Sequence, residues 1–165
     1  AYFTRGTSHD EYARYTEDGN INAETLMRLM RKFRTASELV PPPIIEINGE
    51  DSCGIIYYGS SKPAVLEAKD ILKTKDINVD LMQIRSFPFN LDVWEFIASH
   101  DRIYVVEQNR DSQMRTLIMA EGGISAEILR PLVHFTGDPI EASYIVNKIS
   151  EREVNYKSHK NIKER

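Results

Sequence analysis

Apolar positions first fall into a helical period at Leu26, Leu29, Met30, Phe33 and Ala36, with Arg28, Arg31, Lys32 and Arg34 on the other side, which predicts an amphipathic helix over about 22–38. Asn22 is the expected cap, and Glu24 in the first turn complements the helix dipole. Residues 1–21 are polar and aromatic without a clean period and read as a loop or linker. Pro41-Pro42-Pro43 cannot continue a helix and forms a stiff extended joint.

Beyond the joint the pattern alternates. Short apolar runs at 44–47, 53–58, 78–84, 102–107 and 129–135 predict strands. Between and after them, helical spacing follows Pro63 (Val65, Leu66, Ala68, Leu72), covers 91–99 and 112–120, and runs from Gly137-Asp138-Pro139 to about Glu151. Strands alternating with helices imply a mostly parallel sheet covered on both faces. The unbroken apolar character of 54–58 and 103–106 suits strands buried on both sides. The polar, basic end from Asn155 has little to bury, and we expect it to fray or to contact a partner.

A chain of 165 residues, 41% hydrophobic and 28% charged, has material for one core and not obviously for two. Its net charge of -4 creates no field that would gather nucleic acid. No apolar run approaches the roughly 18–20 residues that cross a bilayer, and no leader pattern is present, so we expect a soluble, cytoplasmic protein without membrane partners. The single Cys53 excludes an internal disulfide and any iron–sulfur cluster held by several thiolates of this chain. The opening at Ala1 suggests a piece of something longer.

In open α/β sheets ligands gather beyond the carboxyl ends of the strands. The candidates there are Gly59-Ser60-Ser61, Arg85-Ser86-Phe87, Glu107 to Asp111, and Thr136-Gly137-Asp138. Gly59, Ser60 and Ser61 would offer small residues and amides to an anion at a helix start. Neither GxxxxGK[ST] nor GxGxxG is present, so ordinary capping is favoured. Glu107, Gln108, Asn109 and Arg110 emerge from a very apolar strand. Such a cluster binds a polar partner or fixes its own loop, and we favour the second, with Gln113 able to complete either. His9, Asp10 and Glu11 resemble an acid/base or metal constellation, but adjacent loop residues rarely converge on one ion, and His100, His134 and His159 show no ligand spacing. A structural or substrate-proximal loop is favoured and no metal site is assigned. No GxSxG motif, and no cysteine with an evident histidine partner, points to nucleophilic catalysis.

Several motifs in order, YFTRGTSHDEYARYTED, MRKF, YYGSS, IRSFPFN, VVEQNRDSQM and VHFTGDPIEA, resemble the α subunits of 2-oxoacid:ferredoxin oxidoreductases, particularly the 2-oxoglutarate type, over about residues 2–145. Ser112 stands where the family's NRDGQ-type turn has glycine, so a positive φ there would strain it. The resemblance implies a transketolase C-terminal-like, three-layer α/β/α domain at 39–150, with a five-stranded mixed sheet of order 1-3-2-4-5 and the first strand antiparallel. It implies that 1–38 connects to a missing preceding domain and that 151–165 is a polar tail. It also implies an intact complex using thiamine diphosphate, Mg²⁺, iron–sulfur clusters, coenzyme A and ferredoxin, none of the cofactors held by this fragment. Partners would be the remainder of the α chain and a β subunit, and an exposed helix 22–38 invites a homodimer.

That strand order would place Gly59–Ser61 beside Glu107 and Asn109 as a crevice, with His9, Asp10 and Glu11 near the active site of the whole enzyme. The fragment alone would be inactive. Two alternatives remain from the residues themselves, a stand-alone flavodoxin-like module binding a phosphate or small ligand, and a pure interaction domain.

Overall fold

The structure is a computed structural model, and it describes residues 8–49 and 52–163. Residues 1–7, the first part of the expected linker, fall outside the described residues, as do 164–165 at the end of the expected tail. Two units are distinguished, one formed by residues up to Val40 with Phe87–Asn90, the other by Pro41–Ser86 with Leu91 onward.

In the first unit the helix α1 (Gly19–Leu39) starts earlier than its apolar period suggests. Asp18 is the cap, its carboxylate accepting from the backbone N–H groups of Asn20 (2.8 Å) and Ile21 (3.4 Å). Asn22, the expected cap, lies inside the helix and accepts from the Ser8 hydroxyl at 2.8 Å. Gly19 and Asn20 are weak helix formers with nothing apolar to bury, so the first turn depends on capping and leaves no periodic signal. The helix stops at Val40, whose extended backbone (φ -70°, ψ 155°) is what a residue before proline adopts. Phe87 packs edge-on against Phe33, with ring centroids 6.4 Å apart.

The second unit is an α/β/α sandwich. Its strands are β1 (Ile44–Glu46), β2 (Cys53–Tyr57), β3 (Val79–Gln83), β4 (Ile103–Glu107) and β5 (Leu129–Val133), in the order β1-β3-β2-β4-β5. β1 runs antiparallel to β3, with Ile45 opposite Met82, and the other pairings are parallel. This is the expected order and orientation. Every residue of β2 and of β4 is buried, which is why both read as continuous apolar runs.

The helices are α2 (Lys62–Lys73), α3 (Leu91–Ala98), α4 (Gln113–Gly122) and α5 (Ala142–Lys163). Pro63 sits in the first turn of α2, where its missing N–H costs nothing. One face of the sheet presents Ile55, Tyr57, Leu81, Tyr104 and Val106 to α2 and α5 through Val65, Leu72, Ile145 and Ile149. The opposite face meets α3, and Gly54 shows how tightly, since a Cβ there would lie 2.9 Å from Ile103 Cγ1 and 3.0 Å from Phe96 Cε1. Trp94 packs against Gly122, where an added Cβ would fall 2.4 Å from its ring. α5 departs from expectation by running on from Glu151 to Lys163 instead of ending.

Cys53 belongs to the first of these faces and is fully buried. Desolvation, helped by the charge of Glu153, pushes its thiol from the ordinary 9.0 up to about 12. A folded pKa above the unfolded one gives stability that is intact below the unfolded value and lost as pH climbs through the window from 9.0 to about 12. Burial pushes the hydroxyls of Tyr57 and Tyr58 upward as well, so they act in the same direction. We expect the urea midpoint to fall across that alkaline window. We also expect Cys53 to resist a thiol reagent near about pH 8 until the chain unfolds.

Candidate functional site

The switch in strand order lies between β2 and β4, where Tyr57 pairs with Val106. The loops leaving those two strands are therefore neighbours, which is the juxtaposition expected for Gly59–Ser61 and Glu107–Asn109. After β2, Gly59 takes φ +57° and opens a single 3₁₀ turn, Gly59–Ser61, that leads into α2. Ser61 is buried and Ser60 exposed. Gln108 crosses from the other loop and donates from Nε2 to the hydroxyls of Ser60 (3.0 Å) and Ser61 (3.2 Å). Its Oε1 accepts from the backbone N–H of Ile140 at 3.3 Å. Gln108 thus ties three loops together, where the expectation for its cluster was to fix its own loop.

Glu107 is fully buried at the end of β4. Its Oε2 accepts from the Met114 N–H (2.7 Å) and from Asn109 Nδ2 (2.8 Å), and its Oε1 from the Arg115 N–H (3.0 Å). The carboxylate sits at the N-terminus of α4, where free amides and the helix dipole favour a negative charge. Asn109 completes the loop, its Oδ1 accepting from the N–H of Asp111 (3.1 Å) and of Gln113 (3.2 Å), and its Nδ2 reaching the Tyr58 hydroxyl at 3.4 Å. Gln113 takes part through its backbone, with an exposed side chain. Desolvation, then the charge of Glu107, raises the Tyr58 pKa, which keeps that hydroxyl protonated. Arg110 turns outward and pairs with Asp111 at 2.7 Å, both well exposed.

Ser112 holds φ 50° and ψ 50°, the left-handed conformation, and makes no side-chain cap to α4. The capping function that a serine at this position often supplies is met here by Glu107, five residues earlier. Replacing Ser112 by glycine removes the Cβ penalty at a cost in unfolded-chain entropy, so Ser112→Gly is expected to raise stability by about 0.5–1 kcal/mol in urea denaturation.

The other strand-end candidates are held locally. The Ser86 hydroxyl donates to the Pro41 carbonyl at 2.7 Å, and His134 Nε2 lies 3.1 Å from the Thr136 hydroxyl and 3.0 Å from the Asp138 carbonyl. In the first unit, the Asp10 carboxylate accepts from the N–H groups of Tyr12 (2.9 Å) and Arg14 (2.8 Å), closing a turn on itself. The His9 carbonyl accepts from the Thr25 hydroxyl at 3.2 Å. Asp10 and Glu11 border a groove of about 420 Å³ shared with Thr25, Arg28 and Arg31 of α1. Among the described residues no group of His, Cys, Asp and Glu side chains converges where it could hold a metal ion.

A three-layer α/β/α sheet of this order, with its antiparallel first strand, is a transketolase C-terminal-like domain. A split-gene transketolase, the inactive β4 tetramer, shares the fold at a TM-score of 0.52 and 13% identity, covering 68% of this chain and 42% of that one. No family model matches the chain. In sequence it is similar to the α subunits of 2-oxoacid:ferredoxin oxidoreductases. The α subunit of 2-oxoacid:ferredoxin oxidoreductase 2 of Aeropyrum pernix is 28% identical over 155 residues, which are 88% of this chain and 24% of that protein. The corresponding subunit of Saccharolobus solfataricus is 28% identical over 124 residues, 72% of this chain and 20% of the relative. The 2-oxoglutarate:ferredoxin oxidoreductase of Magnetococcus marinus, solved with 2-oxoglutarate, coenzyme A and succinyl-CoA bound, has the same fold at a TM-score of 0.75 and 24% identity, over 92% of this chain and 26% of that one. The chain spans about a fifth to a quarter of the length of the curated relatives it matches.

Proposed function

We propose that this chain is the C-terminal, architectural domain of the α subunit of a cytoplasmic, thiamine-diphosphate-dependent 2-oxoacid:ferredoxin oxidoreductase, acting on 2-oxoglutarate. The observation that carries the reading is the likeness to such an α subunit along 88% of the chain. The proposed complex would decarboxylate the oxoacid, hand electrons through iron–sulfur clusters to ferredoxin and transfer the acyl group to coenzyme A.

The residues described here do not fit a thiamine diphosphate or Mg²⁺ site. At the switch point between β2 and β4 the Glu107 oxygens already accept from Met114, Arg115 and Asn109, and Asp111 in the same loop is paired with Arg110. The Ser60 and Ser61 hydroxyls are engaged by Gln108. We therefore assign the cofactor to the preceding α domain and the β subunit, and derive no chemical step from this chain. On this reading, residues 1–38 lead in from that preceding domain, and the His9, Asp10 and Glu11 loop approaches the active site of the whole enzyme.

Co-expression with the remainder of an α chain and its β subunit tests the proposal. The assembled complex is expected to reduce ferredoxin or a viologen dye only with both 2-oxoglutarate and coenzyme A present, and these 165 residues alone are expected to be silent. A chain that ignores both polypeptides and binds a nucleotide by itself would instead establish the flavodoxin-like alternative.

A further inference from the structure

β5 is one edge of the sheet, and its free side is closed. In a parallel pair the residues of a strand turn their backbone groups alternately toward and away from the neighbour. The Ile128 carbonyl accepts from the Ile103 N–H (2.8 Å) and the His134 N–H donates to the Glu107 carbonyl (2.9 Å), so the even positions face β4 and the carbonyls of Leu129, Pro131 and Val133 face outward. Each of these carbonyls is taken by a side chain. Arg115 Nε donates to the Leu129 oxygen at 2.6 Å, Arg152 Nη1 to that of Pro131 at 2.9 Å, and the Tyr144 hydroxyl to that of Val133 at 2.8 Å. Pro131, at the middle of the strand, has no N–H to offer either.

The covering side chains come from two helices, Arg115 from the first turn of α4, Tyr144 and Arg152 from α5. Each has a second hold. Arg115 Nη2 donates to the Ala126 carbonyl at 3.2 Å, the Tyr144 ring meets that of His134 with centroids 5.2 Å apart, and the Arg152 guanidinium lies 5.8 Å from the centre of the Tyr104 ring. A bare strand edge is a template on which another strand can add, and prolines and charged side chains are what blunt it. A strand arriving at β5 would have to displace two guanidinium groups and a phenol before its own N–H groups found an acceptor, and it would find no donor at Pro131. A second copy would also bring its two arginines against these two. The opposite edge, β1, is three residues long against five for β5, so β5 is the edge with more to protect.

We propose that Arg115, Pro131, Tyr144 and Arg152 seal the β5 edge against strand addition, so that this side of the chain meets any other polypeptide, a second copy included, through side chains alone. The covered carbonyls lie two residues apart, the spacing of the outward groups of a strand, and no outward carbonyl of β5 is left over. The seal is tied to the cap of α4, because Glu107 accepts from the Arg115 N–H at 3.0 Å and so fixes the backbone of the residue that covers Leu129.

The test compares wild type with a variant carrying Arg115→Met, Pro131→Val, Tyr144→Phe and Arg152→Met, which keeps side-chain bulk while freeing the three carbonyls and restoring the missing N–H. Sedimentation velocity is expected to show this variant associating at a protein concentration at least about tenfold below wild type, the order of one regained hydrogen bond. Amide exchange at Leu129 and Val133, whose N–H groups face outward, should slow by about tenfold as the variant is concentrated and should not depend on concentration in wild type. Pro131→Val alone, with the three covering side chains in place, should behave as wild type. A folded variant that associates no more readily than wild type, or associates without slowing Leu129 and Val133, overturns the proposal. Association by Pro131→Val alone would place the seal in the proline and overturn the role of the side chains. Should circular dichroism show the fourfold variant unfolded, Tyr144→Phe with Arg152→Met, which leaves α4 untouched, is read by the same two measurements. Slowing of those two amides on concentrating wild type would mean that a strand already adds to β5, which overturns the proposal without any variant.

Discussion

Glu107→Ala is expected to destabilise the chain by about 3–5 kcal/mol, a loss read from the urea midpoint. The carboxylate is fully buried and accepts from two backbone N–H groups at the start of α4 and from the Asn109 amide. Charge-assisted bonds of this kind contribute about 1.5–3 kcal/mol each, and buried donors left without a partner lose the whole desolvation cost. Ser112 cannot substitute, since its side chain makes no cap. Glu107→Gln keeps the shape but offers one acceptor oxygen and turns its own amide protons toward donors, so about 1–3 kcal/mol should be lost. A Glu107→Ala variant within about 1 kcal/mol of wild type would show that the carboxylate is not the cap of α4, and would reopen a ligand role at this strand end.

The same residue shows what the sequence could and could not convey. The strands were legible because a parallel sheet covered on both faces leaves nearly every strand position apolar, as in Cys53–Tyr57 and Ile103–Glu107. The start of α2 was legible because Pro63 belongs to a first turn. The neighbourhood of Ser60, Ser61 and Glu107 followed from the strand order, which came from the family resemblance. Glu107 also offered a signal of its own, since a carboxylate ending an otherwise apolar strand must find donors or be excluded from the interior. That signal names no donors, however. The partners, Met114 and Arg115, are backbone amides a full loop away, brought there by the left-handed turn at Ser112. Gln108 was legible only as a member of the polar cluster ending β4, because an amide in a polar loop reads alike whether it points to solvent or bridges three loops. The true start of α1 was hidden for a related reason, its first turn depending on the Asp18 cap and burying nothing.

The second large effect is expected at Glu153, in the stretch that reads from sequence as a polar tail. α5 continues through it, and Glu153 is 2% exposed. Its oxygens accept from Arg102 Nε at 2.8 and 3.1 Å, and Oε1 also accepts from the Tyr104 hydroxyl at 2.8 Å. The Arg102 guanidinium lies 4.3 Å from the Tyr156 ring centroid one turn further along α5. Burial, then the charge of Glu153, pushes the Tyr104 hydroxyl pKa well up, so it remains a donor. Removing one partner of a buried ion pair leaves the other charge without compensation, so Glu153→Ala is expected to cost about 3–5 kcal/mol. It should also speed amide exchange along α5 beyond Glu153, since the segment loses the contact that fastens it to β4. Replacing both partners with apolar groups of similar volume, Arg102→Met with Glu153→Leu, removes two desolvation penalties together and should fall within about 1–2 kcal/mol of wild type. If the double variant instead loses as much as the single one, the pair is not what holds the helix. If neither loses anything, the end of α5 is held by Tyr156 and its neighbours. The expected pattern, a severe single loss and a mild double one, would identify Arg102 and Glu153 as the anchor that makes a helix of a sequence too polar to pack as one.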